Sequence, residues 1–174
     1  MALVWVTGNS GAGKSTVCER LKSLGHQAVD ADWEGYNRFF DRVTGEVVVD
    51  PPYPAPQGWL DRYGWQIDRA RVEALAARSR DTTVFLCGGV ENEDEVRDLF
   101  DLVVCIVIDE ETLRERLLTR TTNSFGKNPE ELASALDHND AIETFYRSIG
   151  ATIIDGTQPL DDVVSQVIRT SRGR

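Results

Sequence analysis

Positive charge is scarce in this chain of 174 residues. Nineteen lysines and arginines face 29 aspartates and glutamates, a formal net charge of -10 at pH 7. A nucleic-acid groove needs a basic excess, so no nucleic-acid partner is expected. Histidine is scarcer still: His26 and His138 stand alone and make no metal site with the cysteines. Cys18, Cys87 and Cys105 are odd in number, widely spaced and set in apolar segments. That pattern points to buried free thiols in a reducing compartment, hence a cytoplasmic protein. No apolar run approaches the length of a membrane span, and residues 2–6 are too short for a signal peptide, so no membrane partner is expected. Repeats and low-complexity segments are lacking too. The length suits one domain over residues 1–174, as a monomer or homodimer.

What is present is alternation. Residues 3–6, 84–86, 102–108 and 152–154 are apolar runs of strand length, and 26–29 is a weaker one that ends at Asp30. Helical spacing lies between them. It runs through Val17, Leu21 and Leu24, then Val72, Leu75 and Ala76. It recurs in Leu132, Leu136, Phe145, Tyr146 and Ile149, and in Leu160, Val163, Val164 and Val167. Strands alternating with helices predict an α/β fold, a three-layer α/β/α sandwich around a five-stranded parallel sheet. Four of the six prolines fall between 51 and 56, which forbids helix or central strand there. That segment reads as an extended loop between two helices, either a linker or a cover for a substrate.

Gly8-Asn9-Ser10-Gly11-Ala12-Gly13-Lys14-Ser15 follows the first apolar run and opens the first helix. This is a phosphate-binding loop. Glycine lets backbone N–H groups turn toward a polyphosphate, and the helix N-terminus adds its positive end. Lys14 would reach the β- and γ-phosphates, Ser15 would ligate Mg²⁺, and Thr16 would bond the α-phosphate.

Three further constellations stand at strand ends or on a helix. Asp30 and Asp32 close the second strand, where ligands gather in open α/β sheets. One carboxylate, Asp30, can hold Mg²⁺ through water, and Asp32 can orient or deprotonate a hydroxyl. Alternatively Asp32 caps a helix beginning at Trp33 and Glu34. Gly88 and Gly89, after Cys87, would offer exposed amides to a ligand, or simply turn the chain. Arg116 and Arg120 lie one turn apart on one helix face, ahead of a polar stretch with Gly126, Lys127 and Pro129. They suit a phosphate-covering lid at about 120–130 or, equally, an ordinary surface helix. Asp109, after residues 105–108, is either a Mg²⁺-holding carboxylate of a hydrolysing ATPase or the cap of the Arg116 helix.

Taken together, the chain resembles the small P-loop kinases of the adenylate kinase and shikimate kinase kind. The likeness touches most of its length, and the phosphate loop is its specific part. It implies the P-loop nucleoside triphosphate hydrolase fold in its kinase-like form, with ATP and Mg²⁺ as cofactors and a small-molecule phosphate acceptor as partner. By resemblance, Arg116 and Arg120 bind ATP phosphates, and Gly156, Gln158 and Pro159 lie beside the adenine. Asp32 touches the acceptor hydroxyl, and Gly88 and Gly89 line an acceptor region at about 31–65. Shikimate kinases carry an acid-binding arginine on the helix before the third strand. The comparable site, Trp65-Gln66, has glutamine, which argues against shikimate. The expectation is a kinase for a nucleoside or sugar-like hydroxyl. A nucleoside monophosphate kinase is the alternative, and an NTP-hydrolysing regulator acting through a partner protein is an alternative of another class.

Overall fold

The computed structural model describes every residue except Pro54, Asn123 and Arg174. Pro54 of the proline segment and Asn123 of the expected lid therefore lie outside the described residues. The chain forms β1 (Leu3–Gly8), α1 (Lys14–Ser23), β2 (Gln27–Asp30), β3 (Asn37–Asp41), α2 (Trp59–Arg62), β4 (Tyr63–Ile67) and α3 (Arg69–Arg78). It continues with β5 (Val84–Cys87), two 3₁₀ turns, β6 (Leu102–Val107), α4 (Glu110–Thr119), α5 (Pro129–Ser148), β7 (Thr152–Asp155) and α6 (Leu160–Arg172).

Five strands pair in the order β2-β5-β1-β6-β7, all parallel. Strand β1 is central, and all six of its residues are buried. A strand with both faces covered reads as a continuous apolar run, which is why Leu3-Val4-Trp5-Val6 was legible in the sequence. Alternate side chains then divide between two cores. Val4, Val6, Phe85 and Ile106 pack with Val17 and Leu21 of α1 and with Val163 and Val167 of α6. Leu3, Trp5, Val84 and Leu86 pack on the other side with Val72 and Leu75 of α3. Helix α5 covers β6 there through Ile142 and Tyr146. The predicted three-layer sandwich is thus the observed one, and the three cysteines are free and buried.

Local chemistry fixes the helix ends. Asp109 caps α4 by accepting from the Thr112 N–H at 2.7 Å. Asn128 caps α5 by accepting from the Glu131 N–H at 2.8 Å, with Pro129 following it in the first turn.

Beyond the sheet stands a second, antiparallel pair, β3 with β4, which the sequence did not predict. Trp65 and Gln66 lie on β4, not on a helix, and the proline segment follows a strand instead of a helix. No helix begins at Trp33 either: residues 31–35 form turns. The hairpin is tied to the main body by Asn92, which behaves like one more rung of a ladder. Its Oδ1 accepts from the Ile67 N–H at 3.0 Å, and its Nδ2 donates to the Ile67 carbonyl at 3.1 Å. Asn92 is buried, so removing it strands two main-chain groups. Asn92→Ala should cost about 1–3 kcal/mol in urea denaturation, and amide exchange should quicken first at Ile67.

Candidate active site

The phosphate loop follows from backbone sterics. Gly8 has φ 145°, and a Cβ there would stand 2.3 Å from the Ile106 carbonyl oxygen, so a side chain is excluded. Gly13 (φ 99°) turns the chain into α1, whose first turn holds no acidic residue. The positive helix end is left unneutralised beside Ser15 and Thr16, as an anion site requires. Asn9 is buried and fastens the loop to α5. Its Nδ2 donates to the Ala135 carbonyl (2.8 Å) and to Asn139 Oδ1 (3.1 Å), while its Oδ1 accepts from the Ser10 N–H (2.7 Å). Asn139 in turn donates to the Ile108 carbonyl at 2.9 Å.

Lys14 folds back over the loop, donating to the carbonyls of Gly8 and Asn9 at 2.9 Å each. Burial lowers its pKa below the ordinary 10.5, and the carboxylate of Asp32 is the strongest influence pulling it back up.

Arg116 and Arg120 do converge on this loop. Arg116 Nη1 lies 3.4 Å from the carbonyls of Gly11 and Ala12, and Nη2 donates to the Gly156 carbonyl at 3.0 Å. Arg116 therefore joins the phosphate loop to the loop at 156–159. Gly156 is needed at that approach, since a Cβ would fall 2.5 Å from Ile106 Cγ2. Gln158 accepts from Gln166 and is exposed, and Pro159 precedes α6. Arg120 Nη2 donates to Ser10 Oγ at 3.1 Å and to the Phe125 carbonyl at 2.7 Å. Its Nε is buried with no hydrogen-bond partner among the described residues, and desolvation lowers its pKa. Lys127 points elsewhere, donating to the Leu118 carbonyl at the end of α4.

Across the loop, Asp32 is held by two side chains that sequence reasoning did not single out as its partners. Asn37 Nδ2 donates to Asp32 Oδ1 at 2.6 Å, and Trp65 Nε1 donates to the same oxygen at 3.1 Å. Both come from the unforeseen hairpin, so no sequence signal short of the β3–β4 pairing could have joined them to Asp32. Asn37 is buried, and its Oδ1 has no hydrogen-bond partner among the described residues. Such a group costs about 1–3 kcal/mol, which a ligand donor would offset. Asp30 is buried, and its Oδ1 accepts from the N–H groups of Asp32 (3.1 Å) and Trp33 (3.2 Å), so it shapes the turn that presents Asp32. Gly88 corrects the expectation of an exposed amide: its N–H donates to the Val6 carbonyl at 3.0 Å. Glycine is required there because a Cβ would fall 2.7 Å from that of Ala31. At Gly89 the added Cβ would lie 4.0 Å from Lys14 Cε, so Gly89 borders both halves of the site.

The residues fit a nucleotide polyphosphate: a loop with positive φ at Gly8, Gly11 and Gly13, a helix start free of acidic residues, and Lys14, Arg116 and Arg120 all bonded to or lying against that loop. Among the described residues, no group of three or more His, Cys, Asp or Glu is arranged to hold a metal ion. A depression of about 320 Å³ behind the loop is walled by Asp109, Glu143 and Asp155, an acidic lining unsuited to phosphate.

Sheet order, phosphate loop and converging arginines together define the P-loop kinase type of α/β fold. The chain belongs to the AAA domain family, whose model matches residues 4–137. No curated protein matches it. Among solved structures, shikimate kinase from Acinetobacter baumannii in complex with shikimate is similar with a TM-score of 0.61 and 18% identity, over 99% of this chain and 93% of that one. A sugar kinase from Janibacter is similar with a TM-score of 0.55 and 20% identity, over 96% and 92%. Deoxyadenosine kinase from M. mycoides with bound dATP gives a TM-score of 0.55 and 14% identity, over 99% and 100%. At these identities the likeness is one of fold.

The lowered pKa of Lys14 has a measurable consequence. Bound phosphates favour the ammonium, so polyphosphate binding should take up a proton over the pH range that begins at this lowered pKa and extends above it. ATP affinity should fall as pH rises through that range. Calorimetry in buffers of differing ionisation enthalpy measures the uptake, and Lys14→Arg should abolish it.

Proposed function

We propose that the chain is an ATP-dependent phosphotransferase that moves the γ-phosphoryl group to a hydroxyl of a small molecule such as a nucleoside or sugar-like metabolite. The observation that carries this reading is the placement of Asp32. Its carboxylate is held by Asn37 and Trp65 and acts on Lys14 across the ends of β2 and β1. The donor side then comprises the residues from Gly8 to Gly13, with Lys14, Ser15 and Thr16, closed over by Arg116 and Arg120. Gly156, Gln158 and Pro159 stand on the adenine side. Mg²⁺, held by the Ser15 hydroxyl and through water by Asp30, would neutralise phosphate charge when bound. Lys14 and the two arginines balance the charge that spreads over the phosphoryl oxygens, and Asp32 orients the hydroxyl and accepts its proton.

AAA domain membership favours a second reading, an NTP-hydrolysing regulator, in which Asp109 would be the essential carboxylate. Its oxygen is already engaged at the start of α4, accepting from the Thr112 N–H. The two readings part on a pair of variants. Asp32→Asn should lower kcat by roughly 10²–10⁴-fold with ATP affinity little changed. Asp109→Asn should stay near wild type, because asparagine caps a helix about as well as aspartate. The reverse order, measured by ADP release with and without acceptors, would refute the kinase reading.

A further inference from the structure

Strand alternation gives the β3–β4 hairpin two unlike faces. Its register pairs Asn37 with Ile67, Phe39 with Trp65 and Asp41 with Tyr63, and these six share one face. Arg38 paired with Gln66, and Phe40 paired with Gly64, lie on the other. Because Asn37 and Trp65 both donate to Asp32, the first face is the one turned toward the site. It is aromatic. Phe39 and Trp65 lie 4.6 Å apart at 59°, and Trp59 meets Phe39 at 4.7 Å and stacks on Tyr63 at 4.4 Å. Neither lysine nor arginine projects from this face.

The cations of the region are committed elsewhere, except Arg38, which alternation places on the other face. Arg42 is held by Glu91 (2.5 Å) and the Leu60 carbonyl, and a Cβ built on Gly64 finds Glu91, Arg42 and Gln66 around it. Arg62 makes two bonds to Asp41, at 2.9 and 2.7 Å. Arg69 is engaged with Glu73 and Asp98, and Arg71 with the Gly35 carbonyl and the Tyr36 ring. Arg38 approaches the Gly35 carbonyl at 3.4 Å. An anionic acceptor would bring its charge to Asp32 with no free guanidinium on that face to meet it, and an unpaired charge in such a place is refused.

We propose, resting on the kinase reading, that the acceptor is an uncharged molecule joining a flat ring to a hydroxyl. The ring lies against the Phe39–Trp65 face, the hydroxyl reaches Asp32, and a ligand N–H or O–H answers the unpartnered Asn37 Oδ1. On transfer, the acceptor O–H proton passes to Asp32. The acceptor oxygen bonds to the γ-phosphorus, and the bond from that phosphorus to the β,γ-bridging oxygen breaks, leaving ADP.

The test is ADP release with nucleosides, their 5′-monophosphates, shikimate, gluconate and an acyclic polyol as probes. Tryptophan fluorescence reports acceptor binding beside a non-hydrolysable ATP analogue. Nucleosides should exceed their monophosphates in kcat/KM by about a hundredfold or more, as for a site facing an unpaired charge. Phe39→Leu, which keeps apolar bulk but removes the ring, should raise the acceptor KM about two- to tenfold with the KM for ATP unchanged. Preserved binding of the analogue shows that the variant is folded. Equal or better turnover of an anionic acceptor, or of the acyclic polyol, overturns this proposal and leaves the kinase reading standing. An unchanged acceptor KM in Phe39→Leu does the same. ADP release that no probe stimulates overturns both.

Discussion

Lys14 carries its charge into surroundings that lower its pKa, and an ammonium so placed must be compensated from several directions at once. Much of the site answers that demand. Two loop carbonyls accept hydrogen bonds from it, and Asp32 supplies the strongest negative influence. One of those carbonyls belongs to Gly8, which takes a backbone angle that other residues rarely adopt. Asp32 stands where it does because Asp30 shapes the turn before it and the hairpin grips its carboxylate. A polyphosphate would supply the remaining negative charge, so the site is balanced for a ligand more than for emptiness.

The five parallel strands were legible because both faces of the sheet are covered and the pattern is local: each strand is an apolar run bounded by turn residues. The phosphate loop was legible for a similar reason, its geometry being dictated by glycines at fixed spacing. Counting put Arg116 and Arg120 one turn apart on a helix, but α4 ends at Thr119 with Arg120 as its extended cap, and their convergence on Gly11 and Ser10 depends on residues over a hundred positions away. The hairpin was opaque. Tyr63, Trp65 and Ile67 do alternate, yet glycine and glutamine between them gave too short a signal against the prolines that precede them. With the hairpin went Asn37 and Asn92, whose importance lies in bonds that only the fold creates. Gly88 shows the converse: the residue type was noticed, but its reason is contact with Ala31 and not an exposed amide.

The hairpin also separates two tasks that the sequence ran together. The sequence is dense in aromatic residues between Trp33 and Trp65, but Trp33 and Tyr53 are largely exposed at 69% and 76%. Phe39, Trp59, Tyr63 and Trp65 are the ones that cluster. The same alternation that gathers them sends Arg38, Gln66 and Arg42 to the far side. Strand periodicity thus sorts the hairpin into an aromatic face and an outer face that carries the arginines, with Asp32 at the edge of the first.

Tyr53 has a different use. Its hydroxyl accepts from the Ser124 N–H at 3.0 Å, and Gln57 donates to Glu130 at 3.2 Å. The proline segment therefore bridges from the acceptor side to the loop that follows Arg120, whose carbonyl at Phe125 accepts from that arginine. On the kinase reading, the loop after Arg120 and the β3–β4 hairpin would share that connection. In a phosphotransferase, exclusion of water from the transferring group requires both halves to close, and two hydrogen bonds between them would couple the two closures.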